Sequence, residues 1–114
     1  MATLIEIAER YFELSNQCDM DSIESMLTES STYSSVNTGV YLGRSQIMVM
    51  MRAFHSAFTS LHWTIDSIEE IRLGVAHIEF RLRSVDRHGE VKETSGNEYV
   101  LVFDGMLQHV EVRS

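Results

Sequence analysis

The sequence predicts an α+β fold in which three N-terminal helices pack on the concave face of a curved antiparallel sheet. Apolar residues recur at helical spacing up to about residue 60, and from Leu61 onward they alternate in steps of two. The alternating segments are separated by short turns, which favour antiparallel neighbours. Because no proline, repeat or composition break divides the 114 residues, we expect one domain over residues 1–114.

The first two helices are expected within the first 28 residues. Leu4, Ala8 and Tyr11 recur at helical spacing, which predicts a helix from about residue 3 to about residue 16. Asp19 is suited to cap a second helix, because its side chain can accept a hydrogen bond from a free backbone N–H of the first turn. The apolar pattern places the end of this helix near Thr28.

A hairpin and a third helix are expected next. β-favouring residues between positions 30 and 43 flank the turn signal Asn37-Thr38-Gly39, which predicts a short hairpin. Apolar side chains then return to helical spacing at Ile47, Met51, Phe54 and Phe58. Because most residues between them are apolar as well, we expect the third helix to be the most buried of the three.

Four strands complete the chain, over Leu61 to Ile71, Val75 to Val85, Val91 to Phe103 and Met106 to Val112. Asp104-Gly105 is the clearest turn signal, because a type I′ hairpin needs positive φ at both central residues. In the second strand the apolar residues that should face the helices are Ala76, Ile78, Phe80 and Leu82. The side chains expected to be almost fully buried are Phe54, Phe58, Ile78, Phe80 and Leu101.

The last long hairpin predicts a homodimer. Tyr99, Leu101 and Phe103 alternate with Val100 and Val102, and both sets cannot face one interior. If the first set meets the helices, the two valines lie on the outer face of the sheet. A patch of that kind is seldom left bare on a soluble monomer, so we expect it to be covered by a second copy of the chain.

The charge balance argues against two classes of partner. Seventeen acidic residues against nine lysines and arginines give a formal net charge of −8, so the chain repels phosphates and anionic lipid headgroups on average. The basic residues are dispersed and form no stripe with aromatic residues between them. We therefore expect neither nucleic-acid nor membrane binding.

Several site classes also lack their sequence signals. The five histidines show no metal-ligand spacing, and the single cysteine, Cys18, excludes an internal disulfide and a multi-cysteine metal cluster. No Gly-rich phosphate loop or dinucleotide fingerprint is present, so no metal and no cofactor is predicted. The N-terminal segment is unlike a signal peptide and a lone thiol is usual in a reducing compartment, which together predict a cytoplasmic protein.

Several short motifs, combined with this order of elements, resemble the nuclear-transport-factor-2-like superfamily. These are Arg10-Tyr11, Asp19-Met20-Asp21, Leu42-Gly43-Arg44 and Trp63. Within the superfamily the chain is most similar to the SnoaL-like subgroup, which includes polyketide cyclases. Relatives of that subgroup include ketosteroid isomerase, limonene epoxide hydrolase, scytalone dehydratase and many binding-only members. The resemblance implies a cone-shaped fold with an open-mouthed pocket, often in a homodimer, and it fixes no reaction.

The resemblance to ketosteroid isomerase implies roles for three residues. Arg10-Tyr11 matches the pair whose phenol donates a hydrogen bond to a developing oxyanion, which makes Tyr11 a candidate for both binding and catalysis. Ser35 falls where the isomerase carries its general base; because a serine cannot act as a base near neutral pH without help, Ser35 is a candidate ligand-binding residue. Tyr99 falls near the second oxyanion donor and is a candidate ligand-binding residue.

Three more residues complete the candidate site. Phe54 and Trp63 are expected to form apolar walls of the pocket. The sequence does not decide which way the Glu98 side chain faces. If it faces the pocket, burial raises the pKa of its carboxyl group and makes Glu98 a candidate catalytic acid or base.

These observations leave three functional hypotheses. The first is a homodimer that binds a small apolar or carbonyl-containing molecule without a complete catalytic acid–base set. The second is a cofactor-independent isomerase, cyclase or lyase that acts next to a carbonyl, with Tyr11 as oxyanion donor and Glu98 as base. The third is a structural or protein-interaction module, which a pocket filled by the protein's own side chains would favour.

Overall fold

The computed structural model describes residues 2–113. Over these residues the chain forms three helices and six strands. Their bounds are α1 Leu4–Asn16, α2 Met20–Glu24, β1 Leu27–Ser35, β2 Gly39–Leu42, α3 Arg44–Ser56, β3 Phe58–Arg72, β4 Val75–Asp86, β5 Val91–Phe103 and β6 Met106–Arg113.

The second helix is shorter than predicted because the chain enters the sheet early. Asp19 caps α2 as expected, its carboxylate accepting a 3.2 Å hydrogen bond from the backbone N–H of Ser22. The Met26 carbonyl then accepts a hydrogen bond from the backbone N–H of Leu107, and Leu27 pairs with Leu107. The predicted helix end near Thr28 therefore lies inside β1.

The sheet is mixed, so the prediction of a wholly antiparallel sheet is wrong. Its six strands lie in the order β2-β1-β6-β5-β4-β3, and β1 pairs with β6 in parallel while the other four pairings are antiparallel. The β1–β2 hairpin thus extends the main sheet along the edge of β6. Short turns fix the direction of consecutive strands only, and β1 and β6 are separated by most of the chain.

The inner face of the sheet, defined by Ala76, Ile78 and Phe80, packs against the helices. Ala76 and Ile78 are fully buried and Phe80 is nearly so, which confirms the predicted alternation in β4. They share one core cluster with residues of α1, including Phe12, whose ring centroid lies 6.0 Å from that of Phe80. The turn signal is also confirmed, with positive φ at both residues of Asp104-Gly105.

The helix with the most buried residues is α1, and the prediction that α3 would be the most buried helix is wrong. Six residues of α1 are buried against three of α3. Phe54 and Phe58, expected in the core, are only half-buried, and Val49 is 72% exposed. The apolar side chains of α3 divide among the core, the lining of a cavity and the exposed surface.

The two faces of β5 are the reverse of those predicted. Val100 is fully buried on the inner face, whereas Leu101 is half-buried and Phe103 is 70% exposed. Register explains the difference, because Val100 lies opposite Ala76 and Leu101 lies opposite Val75. Val100 and Val102 therefore do not form an outward patch, and the residues proposed for the dimer contact are not available for it.

Candidate functional site

A cavity of about 330 Å³ lies between the helices and the inner face of the sheet. Its lining includes the polar side chains of Tyr11 from α1, Tyr33 from β1 and Glu98 from β5. Apolar walls surround them, and these are formed by Met50, Met51, Phe54, Trp63, Phe80, Leu82 and Val112. The cavity is therefore an apolar space in which a few polar groups converge, as is typical of small-molecule sites.

Five of the six residues that the sequence singled out line this cavity: Tyr11, Ser35, Phe54, Trp63 and Glu98. The sixth, Tyr99, lies on the opposite, outer face of the sheet. Its ring stacks on His77, with 4.9 Å between ring centroids, and the Arg113 guanidinium carbon lies 5.8 Å from its centroid. The expectation that Tyr99 lines the pocket is thus corrected by the register that turns Glu98 inward.

Glu98 is a buried carboxyl group without a complete set of hydrogen bonds. Its residue is 5% exposed, and its Oε2 atom has no hydrogen-bond partner among residues 2–113. Burial raises the pKa of Glu98 to about 8, because removing a carboxylate from water disfavours its charged form. At neutral pH the group is therefore mainly protonated and able to donate a hydrogen bond.

Two phenols share the cavity with this carboxyl group. Burial raises the pKa of both Tyr11 and Tyr33, and the negative charge of an ionised Glu98 raises them further. Both tyrosines thus remain neutral donors throughout the physiological range. Within the described residues, neither phenol hydroxyl makes a hydrogen bond to another protein group, so three potential donors face one apolar space.

Tyr33 is a site residue that sequence reasoning missed. It lies two positions before Ser35 on β1, and side chains two apart on a strand share a face. Any argument that turns Ser35 toward the pocket therefore turns Tyr33 toward it as well. Ser35 itself accepts a 3.3 Å hydrogen bond from the backbone N–H of Asn37, and no histidine lies beside it in the sequence to activate it.

Trp63 is held in place by a side chain at the end of α1. The Asn16 amide accepts a 2.7 Å hydrogen bond from the Trp63 backbone N–H and donates a 3.0 Å bond to the Trp63 carbonyl. Because β3 is an edge strand, these two bonds satisfy backbone groups that no neighbouring strand pairs. The indole then meets Phe54 and His55, with ring centroids 6.4 Å and 5.5 Å apart.

Gly96 makes room for the cavity wall formed by Phe80. The two residues lie opposite each other on β5 and β4. A Cβ atom at position 96 would lie 2.9 Å from the Phe80 ring and 2.9 Å from the Arg113 carbonyl oxygen, and real side chains do not approach that closely. The missing side chain therefore allows the phenylalanine ring to lie across the strand beside Glu98.

One residue of the cavity lining, His55, lies next to a thiol. The Sγ atom of Cys18 lies 3.3 Å from the Nδ1 atom of His55, and burial lowers the pKa of the histidine.

Residues 2–113 contain no cluster of three acidic, histidine or cysteine side chains arranged to hold a metal ion. None of the helices in this range has the length and apolar character that a membrane span requires.

Solved structures with the same fold come from several bacteria. An uncharacterised cystatin-fold protein from Novosphingobium aromaticivorans is 14% identical, with full coverage of both chains and a TM-score of 0.87. A protein of ketosteroid-isomerase-like fold from Catenulispora acidiphila, solved with trimethylamine, is 13% identical over 96% of this chain and 85% of its own, with a TM-score of 0.86.

A third solved structure of the same fold is that of an enzyme. An epoxide hydrolase of the LEH-like type from M. tuberculosis is 14% identical over 96% of this chain and 80% of its own, with a TM-score of 0.84. At these identities the likeness establishes the fold alone.

No curated protein matches the sequence significantly. The model of the SnoaL-like domain matches residues 8–112, nearly the whole chain, and the protein therefore belongs to the SnoaL-like domain family.

Proposed function

We propose that the protein binds a small, largely apolar molecule through an oxygen that accepts hydrogen bonds, such as a carbonyl oxygen. The observation that carries this proposal is the buried Oε2 atom of Glu98, which has no hydrogen-bond partner among residues 2–113 and lines the same cavity as the phenols of Tyr11 and Tyr33. Buried polar groups are almost always hydrogen-bonded, and leaving one unpaired costs about 1–3 kcal/mol. A ligand oxygen in the cavity would satisfy these donors.

The chemistry of the lining restricts the ligand further. The walls are aromatic and aliphatic, and the charged residues in the lining are Glu98, His55 when protonated, and Arg113. The Arg113 guanidinium is already paired with Glu111 at 2.6 Å. A neutral molecule with one acceptor oxygen fits this environment better than a strongly charged one, because an unpaired charge is expensive to bury.

Replacing Tyr11 by phenylalanine tests the polar contact. Acetophenone is a suitable probe, since it combines a carbonyl with an aromatic ring that matches the cavity walls. We expect Tyr11→Phe to weaken acetophenone binding by about 2- to 12-fold, which corresponds to the roughly 0.5–1.5 kcal/mol of a neutral hydrogen bond. Isothermal titration calorimetry at pH 6.5, where Glu98 is protonated, measures the change.

Tyr99→Phe provides the matched control, because Tyr99 lies on the outer face and makes no contact with the cavity. The control variant should bind acetophenone as the unmodified protein does. Equal affinities for the Tyr11 variant and the unmodified protein would contradict the proposed contact.

A second candidate function is a cofactor-independent isomerase, cyclase or lyase acting next to a carbonyl. It is favoured by the same carboxyl group, because a pKa of about 8 lets Glu98 exchange a proton near neutral pH. Tyr11 would then stabilise the developing oxyanion.

Exchange of the α-protons of acetophenone for deuterium in D₂O tests this chemistry. Exchange that the protein catalyses and that Glu98→Gln abolishes would establish it. Exchange at the same rate in both proteins would exclude it for this probe.

We also propose that the protein is cytoplasmic, because an unpaired cysteine such as Cys18 is usual in a reducing compartment.

We further propose a homodimer joined through the outer face of the sheet. Ile71, Val75 and Leu101 form an apolar centre there, flanked by charged side chains that include Arg72 and Glu111. An apolar centre with a polar rim is the usual anatomy of a protein interface. Leu101→Asp should dissociate the dimer in sedimentation velocity, whereas a 13.1 kDa species for the unmodified chain would contradict it.

A further inference from the structure

An apolar groove on the surface lies beside the cavity, between β2 and α3. Two rows of α3 residues form one side of it, since Ser45, Val49 and Ala53 are spaced by four residues, as are Gln46, Met50 and Phe54. The other side comes from Thr38, Val40 and Tyr41. From Ser45 to Phe54 the groove follows the helix for about 13 Å, at 1.5 Å per residue.

The groove and the cavity share part of their lining. Thr38, Met50 and Phe54 belong to both, so the two spaces are adjacent and these residues border each of them. Polar residues of the cavity lining, which include Asn37, Thr94 and Arg113, offer no comparable apolar surface. A ligand too long for the cavity would therefore find apolar surface next to it along α3.

The groove is uncharged in a chain that carries many charges. None of its nine lining residues is acidic or basic, although the chain is 23% charged and has a net charge of −8. Val40 and Val49 are 67% and 72% exposed, so their side chains remain in water unless something covers them. Covering such surface contributes about 25 cal/mol per Å² of apolar area.

We propose that the ligand is amphipathic, with a carbonyl head among Tyr11, Tyr33 and Glu98 in the cavity and an aliphatic tail lying along the groove between β2 and α3. This inference rests on the proposed binding function and extends it to a class of ligand. The cavity volume of about 330 Å³ is near the lower end for small-molecule sites, which run from roughly 300 to 1,000 Å³. A tail beyond that volume would replace water on Val40, Val49 and Met50.

A series of phenyl ketones with increasing acyl length separates the head contact from the tail contact. Acetophenone, butyrophenone, hexanophenone and octanophenone share one head and differ only in their methylene groups. We expect affinity to rise about two- to fourfold for each added methylene, the upper value corresponding to about 0.8 kcal/mol for a fully buried CH₂. Calorimetry on the full chain measures the series.

Val49→Asp tests where the tail lies. The side chain is largely exposed, so the variant should fold, and circular dichroism with a thermal melt verifies this. We expect it to leave acetophenone affinity unchanged and to reduce octanophenone affinity at least tenfold, which flattens the series. Val91→Asp is the matched control, because Val91 is also exposed and lines neither the cavity nor the groove. It should keep the full dependence on chain length.

The outcomes distinguish this inference from the proposed function. If acetophenone binds and the affinity does not change along the series, the inference is wrong and the binding function stands. If no member of the series binds, both fail. If Val49→Asp changes the sedimentation of the protein but not the chain-length dependence, the groove is a contact between protein chains and the inference is overturned.

Discussion

Raising the pH from 5.5 to 8.5 is expected to lower the free energy of unfolding by about 3 kcal/mol through Glu98 alone. Burial raises the pKa of this carboxyl group from 4.5 to about 8 in the folded protein. Between these values the folded state keeps a proton that the unfolded state has released. Stability therefore falls by about 1.4 kcal/mol per pH unit across this window and levels off above it.

The comparison with Glu98→Gln isolates this contribution. The amide has nearly the same shape as the protonated carboxyl group and does not titrate, so the variant should lose the slope. Burial also lowers the pKa of His55, which makes stability fall toward acidic pH. That effect is common to both proteins and cancels in the difference between them.

Urea unfolding at pH 5.5, 7 and 8.5 measures the difference. Glu79→Gln is the matched control, because Glu79 is exposed on the outer face of the neighbouring strand, and it should keep the slope of the unmodified protein. Parallel pH profiles for the unmodified protein and Glu98→Gln would mean that water reaches the carboxyl group. The proposed role of Glu98 as a neutral donor would then be withdrawn.

The order of elements could be predicted because each depends on local chemistry. Asp19 caps α2, Gly43 with φ 90° precedes α3, and Asp104-Gly105 supplies the positive φ values of its turn. The parallel pairing of β1 with β6 depends instead on contacts between distant segments, such as Ser35 with Val112. Neither strand carries a local signal for it, so the mixed sheet could not be predicted from periodicity.

The candidate site was harder to predict because it depends on which face of β5 turns inward. From Tyr99 to Phe103 both faces of that strand are apolar, so alternation alone did not choose between Glu98 and Tyr99. The β4–β5 register does choose, because it pairs Val85 with Val91 and thus brings Ile78 opposite Glu98. A prediction that applied the hairpin register to the known inner face of β4 would have found the inward carboxyl group.

The same substitution at two phenylalanines should have very different effects on stability. Phe12→Ala is expected to cost about 3–5 kcal/mol, because its ring is 4% exposed and packs between Tyr11 and Phe80. Phe54→Ala is expected to cost about 1–2 kcal/mol. Its ring is half-buried and lines a cavity that already exists, so truncation enlarges that space rather than creating one in close packing.

Urea unfolding of the two variants at pH 6, with the m-values compared, measures these losses. Phe54 still contacts other aromatic rings, with centroid distances of 5.1 Å to Phe58 and 6.4 Å to Trp63, which is why some loss remains. Equal losses at the two positions would show that α3 packs as tightly as α1. The cavity would then be closed in solution, and a ligand could enter only by displacing Phe54.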